Sequence, residues 1–393
     1  MRITVLCTDL GIRVPGEKGA SMHLMSITHA LAAIGHDVQL IAVGGHGAAP
    51  SGLAEMHLLP HPGRAEGLQR ELNKLAFVEH VASEMAEVVQ SFAPDIIYER
   101  LSLFGSAGAA LAARVPYCRH VVEVNSLLAE EESEWRGLHL APLAGRVERA
   151  VLEQAHLAVA VSDEVAAKIA SAAPAARCAV VANGAEVELF RHLPSPDQAR
   201  RDLGLPQRVP MAAFVGALRP WHGVDLAIEA IARTDDLHLV VAGDGPIRPT
   251  LVTHAADLGV WGRVHFLGHV DHARVVATLA AADVAIAPYP ELSSFSFSPL
   301  KLYEYLAAGV PVVASAIGQI PAALGHGQWG TLVPPGDVDA LAAAMSDATT
   351  DPAAKERAAA GRLHALLHHG WEPRARDIVT LTVETEGRSC VLA

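Results

Sequence analysis

Charge is scarce in this 393-residue chain: 19% of its residues are Asp, Glu, Lys or Arg, against 51% hydrophobic, and aromatics make up only 5%. So apolar a chain buries its surface, and its Ala/Val/Leu runs suit an α/β protein with parallel strands covered on both faces. Positive charge is the scarcer sign, 30 Lys and Arg against 43 Asp and Glu, for a net charge of −13. That balance argues against nucleic acid as a partner, because phosphate backbones call for clustered cations, and against an anionic membrane surface. No apolar run approaches the roughly 20 residues that span a bilayer, so no integral membrane segment is expected. Cysteine is rare, and Cys7, Cys118, Cys178 and Cys390 show neither CxxC nor metal-ligand spacing. They read as free thiols in a reducing compartment. With strand-like Ile3-Thr4-Val5-Leu6 at its start and no secretory leader, the chain is expected in the cytoplasm. No heptad or solenoid repeat is present, and the length predicts two domains, each with its own core.

The first half opens on a unit of strand, glycine loop, helix and strand. Arg2 to Leu6 is followed by a loop with Gly11, Gly16 and Gly19, then by Leu24, Ile27, Leu31 and Ile34 at helical spacing up to Gly35. A second strand spans Val38 to Val43. Ligands gather at the carboxyl ends of strands in such Rossmann-type units. The loop does not match G-x-G-x-x-G, which disfavours a dinucleotide dehydrogenase. Residues 61–93 read as helical and largely solvated. Ile96-Ile97-Tyr98-Glu99-Arg100 is a strand that ends on an arginine, and Tyr117 to Val124 is one that ends in Glu123-Val124-Asn125-Ser126. A carboxylate and an amide there can orient hydroxyls of an acceptor or sugar; Glu123 can equally cap the next loop. Glu130, Glu131, Glu132 and Glu134 follow, either as a solvated helix face or as a mobile lid suited to a cationic acceptor.

The second half restarts the pattern. Strand Ala212 to Val215 leads into Gly216-Ala217-Leu218-Arg219-Pro220-Trp221-His222-Gly223 and a helix over 224–231. Further strands end at Gly243, before Val270 and at Tyr289. The last delivers the chain to Ser296-Phe297-Ser298-Pro299-Leu300-Lys301-Leu302-Tyr303-Glu304-Tyr305-Leu306-Ala307-Ala308-Gly309. Ser298 predicts a helix cap, Pro299 the first helical position and Gly309 the stop. Lys301 and Glu304, three apart, share one face, while Leu302 and Leu306 share another. The apolar face belongs in a core. The charged face and the helix N-terminus are left for something negative. An ordinary capped helix with a surface ion pair is the plainer alternative.

Ser298-Pro299-Leu300-Lys301-Leu302-Tyr303-Glu304-Tyr305, with Ala307-Ala308-Gly309 and Pro311-Val312-Val313, resembles the donor-site signature of retaining glycosyltransferases of family 4. Val180-Val181-Ala182-Asn183-Gly184-Ala185-Glu186 is similar to that family's crossing between domains. The resemblance implies the GT-B fold, two facing Rossmann-like domains with a cleft between them. It places an acceptor-binding domain over 1–182, a nucleotide-sugar-binding domain over 183–365, and a C-terminal segment over 366–393 that crosses back to the first. It implies transfer of a sugar from a nucleoside diphosphate sugar, a UDP-sugar first and a GDP-sugar second, with retention and without a metal or other cofactor. The helix start at Ser298, Pro299 and Leu300 would meet the diphosphate, and Glu304 would hold the ribose.

Gly19, Gly216, Gly223 and Gly243 would line the donor, and the backbone at Val270 would pair with its base. In relatives an arginine and a lysine grip the diphosphate from the 216–223 loop. Here Ala217 and His222 occupy those positions, with Arg219 two residues on. Arg219 and Lys301 are thus the cations expected at the leaving group, and His222 serves as a donor, or as a cation if the diphosphate raises its pKa. The family's second glutamate is Ser296 here, and its usual histidine is Asn125. Glu123 and Asn125 are the remaining catalytic candidates, and Arg100 and Glu131 the acceptor candidates. The acceptor expected is a small polar or cationic metabolite such as an aminocyclitol, as in antibiotic biosynthesis, with a polysaccharide or lipid-linked acceptor as the alternative. An epimerase or hydrolase of the same fold, or an inactive binding module, stays open, as does a homodimer.

Overall fold

Runs of valine, alanine and isoleucine form strands because branched and small side chains pack well on a pleat that is covered on both faces. Eight such strands build one parallel sheet: β1 (Arg2–Leu6), β2 (Arg13–Val14), β3 (Asp37–Gly44), β4 (Glu55–Leu59), β5 (Ile96–Arg100), β6 (Arg119–Val124), β7 (Leu157–Ala160) and β8 (Cys178–Val180). Six build another: β9 (Met211–Val215), β10 (His238–Ala242), β11 (Val264–Gly268), β12 (Val284–Ala287), β13 (Val312–Ser315) and β14 (Thr331–Val333). This computed structural model describes residues 1–16, 19–45, 52–292 and 300–384. The expectations placed on Ser296, Ser298 and Pro299, and that on Cys390, lie outside the described residues.

The chain divides into two units, Met1–Gly184 with the chain from Trp371 onward, and Ala185–Gly370. The divisions expected from the sequence are 182/183 and 365/366. In the first unit the order is β2-β3-β1-β5-β6-β7-β8, with β4 also on β3. The chain winds outward from β1 through β3, then returns to β5, so its switch point lies between β1 and β5. In the second unit the order is β11-β10-β9-β12-β13-β14, and the switch point lies between β9 and β12. Loops part above the carboxyl ends of strands at such a point, which leaves a crevice for a ligand.

Helix Leu300–Ala308 is anchored as its pattern predicts. Leu302, Tyr305 and Leu306 are fully buried, each contributing about 1.5–3 kcal/mol of apolar burial. The Tyr305 hydroxyl accepts from the Val215 N–H at 2.9 Å and donates to the Val215 carbonyl at 3.3 Å, which ties the helix to the last residue of β9. At its other end the Arg362 guanidinium donates to the Ala307 carbonyl and, at 2.7 Å, to the Phe190 carbonyl. No helix among the described residues is long and apolar enough to cross a membrane.

Several elements differ from expectation. The 61–93 stretch is two helices, Gly67–Glu84 and Ala86–Phe92, with Met85 between them, and β2, β4 and β8 are additional strands. Ser162 caps helix Asp163–Ala172 as its position predicts, accepting from the Val165 N–H at 3.1 Å.

Candidate active site

The crevice between β9 and β12 gathers most of the second unit's candidates. Gly216, Arg219, His222 and Gly223 belong to the loop after β9, and Lys301 and Glu304 to the first turns of the helix after β12. Gly243 follows β10, its N–H donating to the Gly268 carbonyl at 2.8 Å, and Val270 is half-buried just past β11. Gly223 has φ +66°, and a Cβ there would stand 1.7 Å from the Pro288 carbonyl oxygen. Only glycine lets the loop after β9 touch the one after β12, so this residue closes the base of the crevice.

Lys301 is the centre of this site. Its ammonium nitrogen lies 4.6 Å from the Phe214 ring centroid and 5.2 Å from that of Tyr289. It is 3.1 Å from where a Cβ on Gly216 would stand. Buried, it has no hydrogen-bond partner among the described residues. Burial pushes the Lys301 ammonium down to about 7, against the pull of Glu304. Burial, with the Glu186 carboxylate beside it, lifts Glu304 to about 7. Aromatic faces compensate a buried cation only in part. The arrangement is a cation held out of water with no anion hydrogen-bonded to it among the described residues.

His222 is half-buried in the loop after β9. Burial and the Lys301 charge hold its ring down, to about 4. The ring is therefore neutral, and its Nδ1–H donates to the Ala217 carbonyl. What remains on that neutral ring is the lone pair of Nε2, an acceptor; the expectation of a cation concerns a ring beside a diphosphate. Arg219 is exposed, its guanidinium 5.9 Å from the Trp221 ring centroid, and is free to turn toward a ligand.

In the first unit the structure brings together Arg100, Glu123 and Asn125 at the ends of β5 and β6. Glu123 is buried with both oxygens occupied: His23 (2.8 Å) and Tyr98 donate to Oε2, Arg100 (2.8 Å) and Asn125 to Oε1. Burial alone would raise this carboxyl, but His23, then Arg100 and Tyr98, hold it well below the usual carboxylate range. A carboxylate this saturated neither takes nor gives a proton at neutral pH. It orients its neighbours instead. The half-buried Arg100 and Asn125 are what it presents.

The glutamate run is not a free anionic lid. Glu132 pairs with Arg70 at 2.8 Å, Arg136 at 3.0 Å and Lys74 at 3.8 Å, which ties helix Leu128–Arg136 to helix Gly67–Glu84. Glu130 pairs with Lys168 at 3.5 Å, while Glu131 is exposed and away from these pairs. Two of the four glutamates, Glu130 and Glu132, are thus paired with cations. Gly19 opens helix Gly19–Ala33, and a Cβ there would meet open space. His23 and Tyr98 were missed; a histidine beside Leu24 and Ile27 on the buried face of a helix was the available signal.

Known proteins bear on both units. Residues 18–189 match the model for Glycosyltransferase Family 4 and residues 196–362 that for Glycosyl transferases group 1. The chain is 36% identical over 193 residues to a D-inositol 3-phosphate glycosyltransferase of Corynebacterium glutamicum, covering 44% of each. It thus spans about half the length of the curated relatives of that kind. It is 27% identical to a glycogen synthase of Mycobacterium tuberculosis over 95% of this chain and 92% of that one. Among solved structures, sucrose-phosphate synthase of Thermosynechococcus elongatus superimposes with a TM-score of 0.72 at 23% identity, over 98% of both chains. Anabaena HepE in complex with UDP does so with 0.71 at 20% identity, over 98% of this chain and 100% of that one. The chain has the GT-B fold and matches, in order along its length, the models for Glycosyltransferase Family 4 and Glycosyl transferases group 1.

Proposed function

We propose that this protein is a retaining glycosyltransferase that moves a sugar from a nucleoside diphosphate sugar, a UDP-sugar first, to a small polar acceptor in the cytoplasm. The observation that carries the reading is the buried Lys301 ammonium with no hydrogen-bond partner among the described residues, at the switch point of the second unit and one helical turn from Glu304. A diphosphate supplies the missing anion and the ribose hydroxyls suit the Glu304 carboxylate. HepE with bound UDP supports uridine as the base. Cys7 and Cys118 are free thiols, in keeping with a reducing compartment.

Breaking the bond from the anomeric carbon to the diphosphate oxygen leaves positive charge on the sugar and negative charge on the leaving group. Lys301 and Arg219 stabilise that anion, and the ordered loop ending at Gly223 holds the pieces in place without reorganisation. The acceptor oxygen then bonds to the anomeric carbon from the leaving-group side, and its proton passes to the departing diphosphate oxygen. No side-chain base is needed, which agrees with Glu123 being saturated. Arg100 and Asn125 orient the acceptor or the donor sugar.

The inositol phosphate acceptor in the relatives' name supports a small polyol. The near full-length similarity to a glycogen synthase favours a second reading, a growing glucan chain as acceptor. A nucleotide-release assay separates these. UDP-glucose or GDP-mannose is supplied alone, with inositols and aminocyclitols, and with glucan. Release that depends on a small polyol supports the proposal, release that depends on glucan supports the second reading, and release without any acceptor points to a hydrolase or epimerase. Anomeric proton couplings of the product test retention.

A further inference from the structure

His23 lies on the buried face of helix Gly19–Ala33, its side chain 7% exposed, and a nitrogen placed there must find a partner. The partner is Glu123, 2.8 Å from Nε2. An ionised carboxylate only accepts, so Nε2 carries the proton. Through that one bond His23 acts on everything else Glu123 holds. Arg100 and Asn125 share Oε1. Because the Asn125 nitrogen is committed there, its oxygen faces the other way and accepts from the Asn183 amide at 3.3 Å.

Asn183 and Gly184 are the last residues of the first unit before the chain leaves it, and Trp371 is the first on its return. The Trp371 ring packs edge-to-face on the His23 ring, 4.7 Å between centroids at 70°. It also lies against Gly184, where a methyl group would stand 2.6 Å from Cδ2. Only a residue without a side chain lets the outgoing segment lie flat on the tryptophan that begins the returning one. One imidazole therefore touches both the carboxylate that orients Arg100 and Asn125 and the residue at which the chain re-enters the unit.

We propose that His23 is a positioning residue: through Glu123 it fixes Arg100 and Asn125, and it clamps to them the two chain crossings at Asn183–Gly184 and Trp371. The proposal rests on the transferase reading only in taking Arg100 and Asn125 to face the substrate. Its test leaves the donor site alone.

The test is hydrogen–deuterium exchange on the full chain, wild type against His23→Ala and His23→Gln, with phenylglyoxal modification of Arg100 followed by mass spectrometry. His23→Ala is expected to raise exchange about tenfold or more in peptides spanning 98–101, 122–126, 181–185 and 371–374, and to speed modification of Arg100 by a similar factor. His23→Gln, which keeps an N–H for Glu123, is expected to restore most of both. A histidine that merely fills the core would loosen its own helix in both variants alike, with no rescue by glutamine. Unchanged Arg100 reactivity in His23→Ala, or equal behaviour of the two variants, overturns the proposal. If His23→Ala does not fold, His23→Leu fills the space without a donor and carries the same expectations. UDP affinity, which involves no sugar contact, is expected to stay the same in every His23 variant. If Lys301→Met leaves that affinity untouched while the His23 results hold, the transferase reading falls and the positioning role stands.

Discussion

Lys301→Met keeps the length of the side chain and removes its charge, so it isolates what the cation adds to donor binding. A charge-assisted contact to a diphosphate oxygen contributes about 1.5–3 kcal/mol, or roughly ten- to hundredfold in Kd. Because burial holds the Lys301 ammonium down at about 7, that contribution depends on pH. The diphosphate binds the protonated form, so wild-type affinity falls as pH rises through that value, by about tenfold per pH unit for one proton. UDP-glucose is the suitable probe because its doubly esterified diphosphate keeps one charge state across the range. Titration calorimetry at about pH 6, 7.5 and 9 is expected to show wild type binding tenfold or more tighter than the variant at the lowest pH and nearly equally at the highest. Proton uptake on binding, read from buffers of different ionisation enthalpy, should accompany the wild type only. Parallel curves for the two proteins refute the reasoning.

Glu304→Gln removes the other limb. Burial and Glu186 hold that carboxyl up at about 7, so its ionised form, the acceptor for ribose hydroxyls, is lost as pH falls below this value. Wild-type affinity should therefore weaken on the acid side, and the variant, about tenfold weaker near pH 8, should lack that limb. Gly223→Ala meets both a φ of +66° and the Pro288 carbonyl, and is expected to cost about 3 kcal/mol or more, read as a lowered thermal midpoint. Glu123→Gln should destabilise the protein by about 3–5 kcal/mol in urea unfolding near pH 7, leaving the affinity for UDP, which carries no sugar, unchanged. Because the Glu123 carboxyl is held below its ordinary value, its stabilisation is present above the unfolded-state pKa and disappears only in strong acid, so the gap between wild type and variant should close there. Glu132→Ala should raise hydrogen exchange in helix Leu128–Arg136 by cutting its ties to Arg70 and Lys74.

Local pattern carried the elements that bind the proposed donor. The three-residue spacing of Lys301 and Glu304, the leucines on the opposite face and the glycine at 309 are properties of one short helix, legible from neighbours alone. That Lys301 is buried between Phe214 and Tyr289 is not, since those rings arrive from the ends of β9 and β12. The same holds for His222, whose neutrality comes from burial first and then from the charge of Lys301, about eighty residues away in sequence. Glu123 and Asn125 stood out at a strand end, but the histidine that saturates Glu123 lies a hundred residues away in sequence. The glutamate run read as acidic because sequence shows charge and not its pairing; Arg70 and Lys74 sit on a helix sixty residues earlier. Strands β2 and β8 are too short to carry a period, and Met85 breaks its helix without a glycine or proline to mark it.

A crystal of the full chain soaked with UDP tests the central claim most directly. The diphosphate is expected within about 3 Å of the Lys301 nitrogen, with the ribose hydroxyls on Glu304 and the Arg219 guanidinium turned from Trp221 onto a phosphate oxygen. A nucleotide seated elsewhere on the second unit, with Lys301 still facing only the Phe214 and Tyr289 rings, contradicts it.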